Sequence, residues 1–287
     1  MIPATFDYVR PSTLGEAAAA LAEAGEDAKV LAGGQSLLPL LRLRLAYPSV
    51  LVDLGRVAEL RGIEDRGDRL HIGAMTTHDE VVNSPLVNEH CPLLARATAT
   101  VADPAIRHRG TFGGSLSHAD PAGDLPSVAL ALDAEFRLAS AAGERTVPAA
   151  DFFADYLTTA LEPDEILTGV SVPKLGPDWG CHYEKFHRTA QAWAIVGVAA
   201  AVRHSGGAVV EARIALTNMG ATPVRAHAVE SALAGVPLNG SGAGVREAAL
   251  RADEGTNPPS DADAGADYRR HLAKVLTRRA VIAATSG

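Results

Sequence analysis

Cysteine is scarce in this sequence. Cys91 and Cys181 stand far apart, form no CxxC pair and give no disulfide framework. Two thiols cannot ligate an iron–sulfur cluster in the usual way. Any redox work by this chain therefore needs an organic cofactor, or a cluster on another chain. Long apolar runs are lacking as well. The richest, Ala192 to Val202, is too short to span a bilayer and ends at Arg203. The first residues, MIPATFDYVRP, lack a positive n-region and an apolar h-region, so no secretory signal is expected and a cytoplasmic location is. There is no basic patch, and the net charge is −8, which argues against nucleic acid as a partner.

Several phosphate and nucleophile motifs are missing too. No GxxxxGK[ST] occurs, and GGSLS and GGQSL both fail the GxSxG pattern. The nearest approach to a dinucleotide fingerprint, NGSGAGVREA near residue 240, lacks a preceding strand and misplaces its third glycine. His118, Asp120 and Asp124 could ligate a metal in principle, but beside Pro121 they read more simply as turn and cap residues. No metal is expected.

What is present is a chain long enough for two domains, with 47% hydrophobic residues. Residues 13–24 carry apolar side chains at helical spacing. A short strand at 29–31, a glycine turn, a helix from Ser36 to Leu45 and a strand VLVDLG make a β-α-β unit. Residues 61–75 read as a hairpin turning at Asp65–Asp68, followed by helices at 78–83 and 92–100. The segment from Asp103 to Asp124 is rich in glycine and lacks periodicity, so it reads as a long functional loop. A helix at 125–132 and strands ending at 165–173 follow. After a linker at 174–180 come strands at 194–203 and 209–217, then helices near 225–234, 245–252 and 267–285. Residues 239–244 and 255–266 read as surface loops.

Two glycine stretches carry the chemistry. In LAGGQSLLPL the backbone is bare at Gly33 and Gly34, and Ser36 stands where a helix would be capped. Alone this is an ordinary strand-turn-helix corner. The second stretch, GTFGGSLSHADPAGD, places Thr111, Gly113, Gly114 and Ser115 in similar surroundings. Two such loops facing each other could clamp both phosphates of a dinucleotide through N–H groups and hydroxyls. A third stretch, YEKFHRTAQAWAIV, holds Lys185, His187, Arg188 and Trp193. Taken by itself it reads as a basic edge beside a core tryptophan.

These stretches, together with IGAMTTHDEV and ALTNMGATP, resemble the flavoprotein subunits of the xanthine dehydrogenase family, above all the medium subunits of molybdenum-containing carbon monoxide dehydrogenases. The resemblance runs from the first residue to the last helix. It implies an α+β fold with a non-Rossmann FAD-binding domain over 1–175, in two parts split near residue 56. A smaller α+β domain with a short antiparallel sheet and helices would follow over 177–287. It implies that Ala32, Gly33, Gly34, Gln35 and Ser36, with Thr111, Gly113, Gly114 and Ser115, hold the FAD diphosphate. Asp124 would bond the ribose at the adenosine end, Leu167 would touch the adenine or flavin region through its backbone, and Lys185 would approach the flavin. Trp193 stands where the resembled proteins have a tyrosine near the flavin ring, and Gln35 replaces a histidine. The partners implied are a large subunit with the molybdenum cofactor and a small subunit with two [2Fe–2S] clusters, in a dimer of heterotrimers. Through them the chain would associate with the inner face of the membrane and deliver electrons to a quinone or another acceptor. The substrate class implied is carbon monoxide, with purines, nicotine-like heterocycles and aldehydes as the alternative; a stand-alone FAD protein is the remaining one.

Overall fold

A computed structural model describes residues 2–238 and 242–286, so residues 239–241 of the loop expected at 239–244 lie outside the described residues. The chain opens with β1 (Asp7–Val9), α1 (Leu14–Ala24), β2 (Ala28–Leu31), α2 (Leu37–Arg42) and β3 (Val50–Asp53). The three strands form a parallel sheet in the order β1-β3-β2, which makes β2-α2-β3 the β-α-β unit that the sequence predicts. Thr13 caps α1 by accepting the Glu16 N–H, and Ala17, Ala18 and Leu21 form its buried stripe. Helix α2 is shorter than expected. It stops at Arg42, and Arg44 takes a left-handed φ of 56°. Ser36 does not cap it. Its backbone is already helical, so its hydroxyl makes no bond to the first turn, whereas a capping side chain needs an extended backbone to fold back.

The second part contains β4 (Ile63–Arg66), β5 (Arg69–Gly73), α3 (His78–Asn83), α4 (Pro85–His90), α5 (Pro92–Ala99), α6 (Pro104–Arg107), α7 (Phe112–His118), α8 (Asp124–Ala131), β6 (Glu135–Ser140), β7 (Gly143–Pro148), α9 (Ala149–Phe152), β8 (Phe153–Asp155), β9 (Thr158–Thr159) and β10 (Ile166–Pro173). Strands β4-β5-β10-β6-β7 make a five-stranded antiparallel sheet. The segment expected to be an unstructured loop is largely helical. Asp103 caps α6, Thr111 caps α7, and Phe112 and Leu116 bury one side of α7 at i, i+4 spacing. Two glycines in one turn hide that pattern, because glycine is among the poorest helix formers.

The last part holds β11 (Trp179–Phe186), β12 (Val196–Ser205), β13 (Ala208–Thr217), β14 (Val224–Arg225), α10 (His227–Leu233), α11 (Ala243–Ala249) and α12 (Ala266–Thr285). Its four strands pair antiparallel in chain order. Strand β12 is covered on both faces. Ala199 and Ala201 pack into the core shared with α5 and α8, while Val196, Val198, Ala200 and Val202 pack against the helices that end the chain. This double burial accounts for the unbroken apolar run at 192–202, since a strand hidden on one face alone would alternate.

Helix α12 lies so close to β11 that a Cβ at Gly180 would sit 1.6 Å from the carbonyl oxygen of Ala284. Backbone cannot yield there cheaply. Gly180→Ala should cost about 1–3 kcal/mol of stability and lower the Tm by several degrees in a thermal unfolding scan. An unchanged Tm would show that the helix is not seated on the strand.

Candidate cofactor site

The two glycine segments meet. A Cβ on Gly33 would lie 2.3 Å from the Arg109 carbonyl oxygen and 2.7 Å from the Gly110 Cα. A Cβ on Gly114 would lie 3.4 Å from the Ala32 Cβ. Only glycine at position 33 lets the first and second parts close to backbone contact. Gly34 has φ 76°, and a Cβ there would lie 3.0 Å from Leu38 Cδ1. The Gln35 amide reaches back to the Gly33 carbonyl at 2.9 Å, and the Gly34 and Ser36 carbonyls accept from Leu38 and Leu40. These carbonyls are therefore occupied. The N–H groups of Gly33, Gly34, Gln35 and Ser36 have no hydrogen-bond partner among the described residues. Consecutive free N–H groups around a left-handed residue form a concave, partly positive surface suited to an anion.

The second segment is built differently. The Phe112 N–H donates to Thr76 O at 2.8 Å and the Gly113 N–H to Ala74 O at 2.9 Å. The Gly114 N–H donates to the Thr111 hydroxyl, and the Ser115 N–H to Thr111 O. The N–H groups of Phe112 to Ser115 are thus all engaged within the fold. Gly113 is a glycine because Ala74 presses on it, with a would-be Cβ contact of 2.4 Å. What this side offers is hydroxyl chemistry, from Thr111 and Ser115, set at a helix start. Leu167 is buried in β10, which packs against α7, and the next residue's carbonyl holds the Ala74 N–H at 3.0 Å.

Behind the seam stands His78, a residue the sequence reading passed over. Its N–H donates to Gly110 O at 2.9 Å, and its ring sits where a Gly110 Cβ would come within 2.8 Å. Thr77 bridges to Thr111 and closes a capping box with Glu80. The start of α3 thereby fixes the start of α7. Burial pulls the His78 imidazole down to about 4.

Asp124 and Lys185 come together, but not as a free carboxylate and a free cation. The Lys185 ammonium lies 2.8 Å from Asp124 Oδ2 and donates to Thr100 O at 3.1 Å. The Tyr183 hydroxyl donates to Asp124 Oδ1 at 2.8 Å. Both charged side chains are 4% exposed. Inside the core each Asp124 oxygen thus faces one donor, Lys185 on Oδ2 and Tyr183 on Oδ1. Burial pushes the Asp124 carboxyl up, with Lys185 and Tyr183 pulling against it. Burial and the Asp124 charge hold the Tyr183 phenol well above its ordinary value, so it remains a donor. Ser127 and Thr217 complete the cluster at 2.6 Å, and Gly197 leaves room for the Tyr183 hydroxyl. Tyr183 and Lys185 point to one face of β11, as alternation dictates; the spacing in YEKF was the available signal.

Trp193 is not a core residue. It is 55% exposed in the turn before β12. That turn is tied down on both sides of the chain: Ala194 N–H donates to Ala122 O at 3.4 Å, and Asn218 bonds Ala194 O and Pro121 O at 2.8 Å each. The backbone at Trp193 thus runs beside the loop leading to Asp124. Among the described residues no cluster of His, Cys, Asp and Glu could hold a metal.

A non-Rossmann, two-part α+β unit with an anion nest at its seam, followed by an antiparallel α+β unit, defines a class of flavin-binding subunit. A family profile described as the FAD binding domain in molybdopterin dehydrogenase matches residues 4–175, and the CO dehydrogenase flavoprotein C-terminal domain matches residues 181–284. The chain belongs to this family. It is 42% identical to the carbon monoxide dehydrogenase medium chain of Hydrogenophaga pseudoflava, across 99% of this chain and 98% of that one. A solved carbon monoxide dehydrogenase structure from the same organism superposes with a TM-score of 0.95 at 43% identity, covering 99% of this chain and 98% of that chain. Quinoline 2-oxidoreductase from Pseudomonas putida 86 superposes with a TM-score of 0.94 at 39% identity, covering 99% and 98%. The chain is thus an FAD-binding oxidoreductase subunit.

Two measurements test the site's electrostatics. Because the folded His78 binds its proton only near pH 4, the folded state holds fewer protons than the unfolded one between 6.5 and about 4. Its stability contribution is intact above 6.5 and falls by about 3 kcal/mol as the pH drops through that window. Denaturant titrations should show that slope reduced in His78→Gln. Lys185→Met should cost about 3–5 kcal/mol by stranding a buried carboxylate, and adding Asp124→Asn should recover much of it. Equal losses in the single and double variants would mean the pair is not coupled.

Proposed function

We propose that this chain is the FAD-binding, electron-transferring medium subunit of an aerobic carbon monoxide dehydrogenase. In this reading it works with a large subunit carrying the molybdenum cofactor and a small one carrying two [2Fe–2S] clusters, in a dimer of heterotrimers. The run of free N–H groups from Gly33 to Ser36 carries the reading, since it matches the needs of a diphosphate. Ala32 lines the seam beside it. The hydroxyls of Ser36, Thr111 and Ser115 complete the donor set from the two sides, and Gly114 leaves room for the Thr111 hydroxyl. Gly113 and Leu167 support the site through the backbone of Ala74 and β10. Trp193 supplies an indole face that shields the ring system, and Gln35 orients the nest through the Gly33 carbonyl. Asp124 and Lys185 act as one neutral unit that fastens the last part of the chain to the loop beneath the cofactor. FAD, when bound, supplies a store for two electrons that accepts them from a partner's clusters and releases them to an external acceptor such as a quinone. This chain's residues bind it, exclude water and set the field around it. Oxidation of carbon monoxide belongs to the large subunit.

The near-equal likeness to quinoline 2-oxidoreductase supports a second reading, an FAD subunit of a dehydrogenase for heterocycles. Assaying the purified complex with carbon monoxide and with N-heterocycles separates the two.

For the cofactor reading, Gly34→Val and Gly114→Val are the informative variants. The first forces a branched side chain into a left-handed backbone, and the second drives one toward Thr111 Oγ1, 2.6 Å from the would-be Cβ. Each lost charge-assisted contact is worth roughly 1.5–3 kcal/mol, so FAD affinity in the purified complex should fall about tenfold to a hundredfold per contact. Lower melting temperatures with flavin affinity intact would reduce both glycines to structural corners.

A further inference from the structure

Helix α12 turns Arg269, Leu272, Ala273, Leu276 and Ala280 inward, at the i, i+3, i+4, i+7 and i+11 spacing of a buried helical face. All but the first are apolar. Arg269 is 1% exposed and is the largest side chain that the fold hides completely. Arginine is almost never hidden without a partner, because it cannot shed its charge. An apolar side chain at the head of that face would fill the space without such a cost. What distinguishes Arg269 is therefore what its guanidinium bonds.

Its Nη1 donates to the Ile195 carbonyl, and its Nη2 lies 2.7 Å from Asp261 Oδ2. The Nε has no partner among the described residues. The fork thus spans two segments, the entry to β12 and the loop before α12. Asp261 is itself held, since its Oδ1 accepts the Asp263 and Ala264 N–H groups at 2.9 and 3.0 Å. Further back in the loop, the Asn257 N–H donates to Met219 O at 2.9 Å. The stretch at 255–266, whose composition reads as surface, therefore carries a fixed counterion for Arg269.

The other end of the fork bears on the cofactor site. Ala194 and Ile195 have all four backbone groups bonded, each to a different segment. The Ala194 N–H donates to Ala122 O and its carbonyl accepts from the Asn218 side chain. The Ile195 N–H donates to Phe186 O at 2.8 Å and its carbonyl accepts from Arg269. Both residues are buried, whereas Trp193 just before them is exposed. These anchors fix where the chain leaves the core and hence where Trp193 begins. A lysine ammonium, a single point charge, could not span the carbonyl and the carboxylate with the fixed spacing of a guanidinium fork. We propose that Arg269, braced by Asp261, is a positioning residue for Trp193: by holding the Ile195 carbonyl it fixes the indole against the flavin ring and so sets the ring's reduction potential. This rests on the reading above in which Trp193 shields the ring. An apolar cover disfavours the charged reduced form, so freeing the indole raises the potential.

The test uses the full chain carrying Trp179→Phe, which leaves Trp193 as the only indole. Three quantities are measured: the anisotropy of Trp193 emission without FAD, the quenching of that emission when FAD is added, and the midpoint potential of the bound FAD in a dithionite titration with reference dyes. Arg269→Met should lower the anisotropy, lose most of the quenching and raise the potential. Asp261→Asn, at a side chain 46% exposed, should move all three the same way by less. Trp193→Ala should also raise the potential, and Trp193→Ala/Arg269→Met should raise it no further, because the two residues act as one. If Arg269→Met melts lower yet keeps the parent quenching and potential, Arg269 is only a core residue and the proposal is overturned. Shifts that add in the double variant overturn it too. If Arg269→Met does not fold, Asp261→Asn decides, and parent values for its quenching and potential overturn the proposal. If Trp193→Ala leaves the potential at the parent value, the shielding reading falls and the proposal with it. If Trp193→Ala raises the potential and Arg269→Met does not, the proposal alone falls. If the parent chain binds no FAD, the cofactor reading falls with both.

Discussion

Everything at the seam depends on one approach of backbone to backbone, at Gly33. The first and second parts of the chain touch there without a side chain between them, with the Arg109 carbonyl and the Gly110 Cα occupying the space a Cβ would need. That contact sets the spacing of the nest from the start of α7. Every other feature of the site is referred to it. His78 supports Gly110 from behind, Thr77 bridges to Thr111, and Ala74 presses on Gly113. The result is a shallow donor surface on one side and hydroxyls on the other, held by backbone rather than by flexible side chains.

The second organising feature is a charge pair that solvent cannot reach. Lys185 and Asp124 neutralise each other inside the core, with Tyr183 and Thr217 completing the hydrogen bonds. Such a pair adds little net stability compared with an apolar pair, but it is costly to break on one side. It therefore selects one way for β11 to meet α8. The turn bearing Trp193 inherits its place from that arrangement, through the bonds of Asn218 to Pro121 and Ala194.

Much of the fold was legible in the sequence, and the exceptions have physical causes. Helix α1, the β4–β5 hairpin and the glycine turn between β12 and β13 all announced themselves through periodicity and turn residues. Helix α7 did not, because Gly113 and Gly114 erase the propensity signal that Phe112 and Leu116 would give. The start of β11 has the composition of a linker, since Gly176, Pro177 and Gly180 dominate its approach; Gly180 is there for α12, not for a turn. At the site, the nest of Gly33 and Gly34 was visible as a bare backbone. Local pattern could not show that Asp124 and Lys185 spend their charges on each other, or that Gly113 serves Ala74. Those facts depend on residues distant in sequence.

Strand β12, covered on both faces, has a consequence for how the molecule is made. Synthesis proceeds from the N-terminus, so α5 and α8 emerge well before the strand that covers them. Until β12 arrives, the faces of α5 and α8 that meet it have no lid. A chain paused after β10 is thus a sticky intermediate, exposed to aggregation in the way of other partly built multidomain proteins. The two modules that look separable along the sequence are a single unit of folding at that face, and the cell must carry the first safely until the second is finished.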